Sequence, residues 1–108
     1  MAAIHLNNES FNRLIQGETP VLVDFWAPWC RYCVKIEAAY DEVADHHAGS
    51  IHVAKVHVDQ EPQLAAQEQI EVIPTLVLYR NGKALGSIVA PSSRDMIEQF
   101  LQETLSAM

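Results

Sequence analysis

The segment from Val21 to Trp26 constrains the fold more than any other part of the chain. It reads Val-Leu-Val-Asp-Phe-Trp, follows Pro20, and is apolar at every position except Asp24. Successive rather than alternating apolar residues are typical of a central strand that is covered on both faces. The sequence therefore predicts an α/β architecture in which helices flank a central sheet.

Helical and strand patterns alternate along the rest of the chain. Helices are predicted after an N-cap at Asn7 or Asn8, from Cys33 to His47, from Pro62 to Gln69, and after Ser92 with Asp95, where Met96, Ile97, Phe100, Leu101 and Leu105 would face inward. Further strands are predicted from Ile51 to Val58, from Leu76 to Tyr79 and from Ala84 to Val89. Crossover helices join parallel strands, and Asn81-Gly82 is typical of a β-hairpin. The prediction is a mixed sheet in a single domain spanning residues 1–108.

Composition and charge exclude several functions. Seven basic residues against fourteen acidic ones give a formal net charge of −7, and the basic residues form no cluster. This balance argues against nucleic-acid binding and favours a monomer. No apolar run approaches the roughly 20 residues of a membrane span, and the first residues lack the pattern of a secretory signal. We therefore expect a cytoplasmic protein without membrane contact.

The five histidines do not suggest a metal site. His46 and His47 are adjacent, so a helix is expected to point them to different faces. His52 and His57 would lie on opposite faces of a strand. Surface histidines without a metal are the preferred interpretation.

The sequence Trp29-Cys30-Arg31-Tyr32-Cys33 carries the predicted chemistry. It lies between a buried strand and a helix, so the first sulfur is expected near unpaired backbone N–H groups that favour a thiolate. The second cysteine, one turn later, is close enough to form a disulfide. A redox couple is favoured, with Cys30 attacking and Cys33 resolving. Two inert buried cysteines or half of a zinc site, which needs about four ligands, are the alternatives.

Two charged residues stand in apolar strands. Desolvation should raise the pKa of Asp24 and make it a candidate for proton transfer. Lys55, between Ala54 and Val56, has a similar setting. The alternative for Asp24 is a carboxyl group whose hydrogen bonds are satisfied at the end of a strand. The alternative for Lys55 is a solvated side chain on a polar face.

Several passages together resemble the thioredoxin family, in the family's order, over about residues 4–106. They are Asp24-Phe25-Trp26-Ala27-Pro28-Trp29-Cys30, Lys55-Val56-His57-Val58-Asp59, Ile73-Pro74-Thr75 and Asn81-Gly82. The resemblance implies a thioredoxin fold and a thiol–disulfide oxidoreductase that reduces protein disulfides. It implies no bound cofactor, with electrons supplied by a flavin-dependent, NADPH-linked thioredoxin reductase.

The resemblance also implies residue roles. Cys30 would be the exposed nucleophile that forms a mixed disulfide, and Cys33 the buried resolving thiol. Asp24 would carry a proton to and from Cys33, with Lys55 close by to tune it.

A substrate-binding surface is implied around the cysteines. Trp29 would flank them, Pro74 would be cis and face them, and Ile73 would offer its backbone to the substrate. Arg31 and Tyr32 complete this surface.

The chain departs from the family pattern near this surface. Arg31-Tyr32 replaces the usual Gly-Pro, Val34 a common lysine and Ala90 a common glycine. Ala38 replaces a kinking proline, so the helix is expected to run straighter. Arg31 should favour the Cys30 thiolate and raise the reduction potential by a few tens of millivolts at most.

Two other functions remain open from the sequence. The missing Gly-Pro favours a disulfide isomerase or oxidase, although no signal peptide is apparent. A non-catalytic module that docks a partner enzyme, with the cysteines as a local switch, is the second.

Overall fold

The computed structural model describes residues 3–107. Within that range the strands are β1 (Ile4–His5), β2 (Val21–Trp26), β3 (His52–His57), β4 (Thr75–Arg80) and β5 (Lys83–Val89). The helices are α1 (Asn8–Leu14), α2 (Arg31–Lys35), α3 (Glu37–His46), α4 (Pro62–Gln67) and α5 (Arg94–Ser106). No helix among these residues is both long enough and apolar enough to cross a membrane.

The strands form one mixed sheet in the order β1-β3-β2-β4-β5. Strand β3 runs parallel to β1 and β2, whereas β4 is antiparallel to β2 and β5. The predicted mixed sheet with a hairpin at Asn81-Gly82 is therefore confirmed. The sequence does not predict β1, because the two residues Ile4 and His5 are too few to show a periodicity.

Strand β2 occupies the middle of the sheet, and residues 21–25 are at most 1% exposed. On one face, Val21, Val23 and Phe25 belong to a core that includes side chains of α1 and α4. On the other face, Leu22 packs with side chains of α3 and α5. The prediction of a central strand covered on both faces is confirmed.

The helix predicted from Cys33 to His47 is interrupted. Ile36 ends α2 and precedes α3, with φ −88° and ψ 0°. Its N–H donates to the Tyr32 carbonyl at 3.3 Å, and its side chain is buried. Alanine at position 38 in place of a proline therefore does not give one continuous helix.

The last helix begins one residue later than predicted. Ser93, not Ser92, is the N-cap, and its Oγ accepts the Met96 N–H at 3.2 Å. Ser92 Oγ instead contacts Met96 Sδ at 2.9 Å. Met96 is therefore 41% exposed rather than directed inward, and the fully buried side chains of α5 are Ile97 and Leu101.

Ala90, just after β5, has a left-handed backbone conformation with φ +48°. Its N–H donates to the Pro74 carbonyl at 2.9 Å, which joins the end of the hairpin to the loop before β4. A side chain with a Cβ atom is strained in this conformation, and glycine is not. Glycine therefore suits position 90 better than alanine does.

Replacing Ala90 by glycine is expected to raise the free energy of unfolding by up to about 1.6 kcal/mol. Relief of left-handed strain contributes about 1–2 kcal/mol, and the greater freedom of the unfolded glycine variant offsets about 0.4–1 kcal/mol. Urea unfolding measures the change. The control Ala66→Gly alters an exposed residue of α4 and should lower the free energy by up to about 1 kcal/mol. Equal destabilisation by both changes would contradict strain at Ala90.

Candidate active site

Cys30 and Cys33 form a disulfide where the chain leaves β2 and enters α2. Their Cα atoms are 5.2 Å apart. The Cys30 N–H donates to the Ala27 carbonyl at 3.1 Å, closing a turn. Cys30 is the N-cap of α2, and its Sγ accepts the Cys33 N–H at 3.1 Å. The same hydrogen bond would stabilise a thiolate at Cys30 after reduction.

The sulfur of Cys30 is more covered than predicted. Cys30 is 8% exposed and Cys33 2%, so Cys30 is the more accessible of two largely buried residues rather than an exposed nucleophile. Both cysteines pack with Ala27, and the partly buried side chains of Trp26, Tyr32, Val58 and Ile73 cover this cluster. Cys30 Sγ lies 3.9 Å from the Ile73 carbonyl oxygen. Long-range packing of this kind is not visible in the local sequence.

Asp24 is 1% exposed in the middle of the sheet. It is aligned with Lys55 of β3 and with Leu76 of β4. Burial raises its pKa to about 7; Lys55 lowers it in part, and the charge of Glu37 raises it further. Oδ1 has no hydrogen-bond partner among the residues of the structure. The carboxyl group can therefore gain or lose a proton near neutral pH.

The geometry places Asp24 on the same side of the sheet as the active-site helix. Alternate residues of β2 share a face, so Asp24 lies on the face of Leu22, which packs against Tyr40 of α3. Asp24 is close to both Glu37 and Tyr40. The charge of Glu37 raises the pKa of Asp24, and the charge of Asp24 raises the pKa of Tyr40. Cys33, Glu37 and Tyr40 are spaced by four and three residues, which puts them along one side of the helical segment.

Lys55 is 4% exposed, which rules out a solvated polar face. Its Nζ lies 3.5 Å from Glu37 Oε1 and 4.1 Å from the centre of the Trp26 ring. The ion pair and the cation–π contact compensate for the burial of the ammonium group. Glu37 was not predicted as a site residue, although its spacing of four residues from Cys33 is a signal that could have identified it.

Tyr40 is a second residue near Asp24 whose role was not predicted from the sequence. It is fully buried, and its hydroxyl lies 3.1 Å from the Leu22 carbonyl and 2.7 Å from the Ala54 carbonyl, to which it donates. Burial, followed by the charge of Asp24, raises the pKa of Tyr40 well above its ordinary value. The hydroxyl therefore stays neutral and holds α3 against β2 and β3.

The remaining candidate residues lie around the disulfide. The Ile73–Pro74 peptide bond is cis, in agreement with the resemblance. Trp29 is 65% exposed, and its Nε1 donates to Asp59 Oδ2 at 2.5 Å. Arg31 is exposed, whereas Tyr32 is half-buried and packs towards the core. Two further apolar side chains are exposed, Val72 before the cis peptide and Val89 at the end of β5. Neither was predicted from the sequence to belong to the substrate-binding surface.

The prediction that His46 and His47 point to different faces is wrong. His46 Nδ1 lies 2.8 Å from Glu98 Oε2, and His47 Nε2 lies 2.5 Å from Glu98 Oε1. His47 is the C-cap of α3, with φ −104° and ψ 12°. Burial raises the pKa of Glu98, but the hydrogen bonds with His47 and His46 outweigh it and lower the pKa below its usual value.

Comparisons with known proteins agree with this site. The family model for thioredoxin matches residues 2–103. A thioredoxin of Alicyclobacillus acidocaldarius is 36% identical over 96% of this chain and 99% of that protein. Thioredoxin 1 of Nostoc sp. is 36% identical over 96% of this chain and 98% of that protein. An M-type chloroplastic thioredoxin of Pisum sativum is 42% identical over 91% of this chain and 58% of that protein.

The family match covers nearly the whole chain, and the paired cysteines stand at the start of a helix beside a cis proline. The observed mixed sheet flanked by helices is consistent with the thioredoxin fold. With relatives of 33–42% identity over nearly all of its length, the chain belongs to the thioredoxin family and is a thiol–disulfide oxidoreductase.

Proposed function

We propose that this chain is a general reductant of protein disulfides in which Cys30 is the nucleophile and Cys33 the resolving thiol. One observation carries the assignment of roles. Cys30 Sγ is the N-cap that accepts the Cys33 N–H, and Cys30 is the more accessible of the two cysteines. A thiolate is stabilised by such a hydrogen bond, and only an accessible sulfur can meet a second protein.

The reaction has two exchange steps. The Cys30 thiolate attacks one sulfur of the substrate disulfide, and the other substrate sulfur leaves as a thiolate that takes a proton from solvent. The Cys33 thiol then loses its proton and attacks Cys30 Sγ. The substrate sulfur that was bonded to Cys30 leaves as a thiolate and is protonated, and the Cys30–Cys33 disulfide is formed. Two electrons have then passed from the cysteines to the substrate.

Asp24 is proposed to accept the proton of Cys33 in the second step and to return it on reduction. Its pKa near 7 and its unpaired Oδ1 support this role, because a base at neutral pH must be partly ionised and available. Lys55 lowers the pKa of Asp24, and the ion pair with Glu37 holds the Lys55 ammonium group in place. Lys55 is therefore a positioning and tuning residue.

The substrate is proposed to bind over Cys30 in an extended conformation. The carbonyl group of Ile73, which lies beside Cys30 Sγ, would pair with the substrate backbone. Pro74 and Trp29 would border the disulfide, with Arg31 and Tyr32 on the helix side. Exposure of Trp29 and Arg31 supports their access to a partner protein.

The partners follow from the same proposal. A flavin-dependent, NADPH-linked thioredoxin reductase would return the two electrons, and the protein would act as a monomeric single domain over residues 1–108 without a bound cofactor. Similarity to thioredoxins of Alicyclobacillus and Nostoc supports a cytoplasmic location. The relatives from spinach and pea are chloroplastic thioredoxins and therefore have a different location.

A disulfide isomerase or oxidase is the second candidate. The exposed Arg31 next to Cys30 favours it, since a positive charge stabilises the thiolate and hence the reduced form. The effect of one exposed charge is a few tens of millivolts at most, whereas about 150 mV separates thioredoxin from a strong oxidant. Arg31 alone is therefore too weak to change the class of reaction.

Serine replacements of the two cysteines are expected to have different effects. Cys33→Ser should accumulate a mixed disulfide between Cys30 and the substrate, because no thiol remains to resolve it. Cys30→Ser should abolish reduction and trap nothing. Insulin reduction measures activity, and non-reducing electrophoresis detects the trapped species. Reduction that persists in Cys30→Ser would contradict the assignment. Partner binding and a phenotype that both survive Cys30→Ser would instead favour a non-catalytic binding module.

The pH dependence of the second step tests Asp24. The rate at which Cys33 resolves the mixed disulfide should rise through about pH 7, where Asp24 becomes ionised. Asp24→Asn should remove this inflection. Lys55→Gln should move it to higher pH, because Lys55 lowers the pKa of Asp24. Rapid mixing with detection of the released thiol measures the rate, and an unchanged inflection in Asp24→Asn would exclude the role.

Asp24 should also affect stability. As pH rises from 3.8 to about 7, the unfolded chain releases the Asp24 proton that the folded chain retains, so ionisation progressively destabilises the fold. The full penalty, present above about pH 7, is up to about 4 kcal/mol for this rise in pKa. Asp24→Asn should therefore stabilise the oxidised protein against urea at about pH 8 and much less near pH 4. Equal effects at both pH values would contradict the raised pKa.

A further inference from the structure

Two helices bring three potential metal ligands together away from the cysteines. His46 is the last residue of α3, His47 is its C-cap, and Glu98 lies on α5. One carboxylate oxygen faces each imidazole, at 2.8 Å from His46 Nδ1 and 2.5 Å from His47 Nε2. Three potential ligand atoms of these residues lie within 4.8 Å of one another.

We propose that His46, His47 and Glu98 form a binding site for a divalent transition-metal ion of the zinc class. Imidazole nitrogen and carboxylate oxygen are ligands that zinc takes at about 2.0–2.2 Å. Ligands around a tetrahedral ion are then about 3.4 Å apart. Each imidazole nitrogen would move less than about 1 Å away from the carboxylate oxygen it now contacts, and the three potential ligand atoms already lie within 4.8 Å of one another, so the adjustment is small.

The surroundings leave room for the ion and for a water molecule as its fourth ligand. The three residues border a shallow depression of about 410 Å³ that Asp95 and Gln102 also line. His47 and Glu98 are partly buried, so their side chains are already restricted in the required orientation. A site held partly in place loses less conformational entropy when the metal binds.

Arg94 is the competing positive charge. Its Nε lies 3.6 Å from Glu98 Oε2, and its Nη1 lies 3.2 Å from Glu42 Oε2. When the ion takes the Glu98 oxygen, Arg94 keeps its pairing with Glu42. The metal therefore replaces the contacts of Glu98 with the two imidazoles and its partly exposed ion pair with Arg94, and Arg94 stays paired with Glu42.

The site would tie the end of α3 to α5 without touching the redox centre. His46 follows Cys33 by 13 residues along α2 and α3, which corresponds to a distance of about 20 Å. Metal binding should thus stabilise the folded protein and leave the exchange of thiols and disulfides unchanged. The proposal is independent of the roles assigned to Cys30, Cys33 and Asp24.

Calorimetric titration of the oxidised, tag-free protein with Zn²⁺ tests the site. The disulfide must be intact, because free thiolates at Cys30 and Cys33 would themselves bind zinc. We expect one saturable ion per chain. His47→Ala and Glu98→Gln should each weaken binding by at least about tenfold. His52→Ala removes another exposed histidine, outside the cluster, and should leave the affinity unchanged.

Thermal unfolding of the same oxidised proteins supplies a second readout. Saturating Zn²⁺ should raise the Tm of the wild type and of His52→Ala by several degrees, and that of His47→Ala and Glu98→Gln much less. Absence of saturable binding in the wild type would overturn the proposal. So would binding that both cluster variants retain, or that His52→Ala loses to the same extent.

Discussion

Burial of strand β2 on both faces is the constraint on which the active site depends. The strand lies between β3 and β4, and residues 21–25 are almost inaccessible to water. Apolar residues are stabilised by this burial, whereas the carboxylate of Asp24 loses its hydration. Its raised pKa, its unpaired oxygen and its dependence on Lys55 all follow from a carboxyl group held in this position. The same strand leads directly into the turn that presents Cys30.

The charged groups near Asp24 are a poor way to stabilise a core. Asp24 and Lys55 are buried, whereas Glu37 is about half exposed, and the cost of burying the first two groups offsets most of their mutual attraction. Apolar residues of similar size would give a more stable sheet. The proposed proton-transfer role of Asp24 would account for this arrangement, since proton transfer near neutral pH requires the same pKa shift that weakens the fold. Under that proposal, stability and catalysis place opposite demands on position 24.

Local patterns predicted the features that local forces determine. The continuous apolar run gave the central strand, Asn81-Gly82 marked the hairpin, and the polar residue in an apolar run identified Asp24. Features decided by contacts between distant segments were missed or wrong. The cover over Cys30 includes Ile73 and Val58, which are distant in sequence, and the interruption at Ile36 has no local signal such as a proline or glycine. His46 and His47 converge because Glu98 of another helix lies between them.

The reduction potential of the Cys30–Cys33 pair, measured by equilibration with glutathione, tests the central claim most directly. The account predicts a value above the thioredoxin reference of about −270 mV by a few tens of millivolts at most, because Arg31 is one exposed charge. A value in that range agrees with a reductant of protein disulfides. A value above about −200 mV would contradict the account and assign the chain to oxidation or isomerisation.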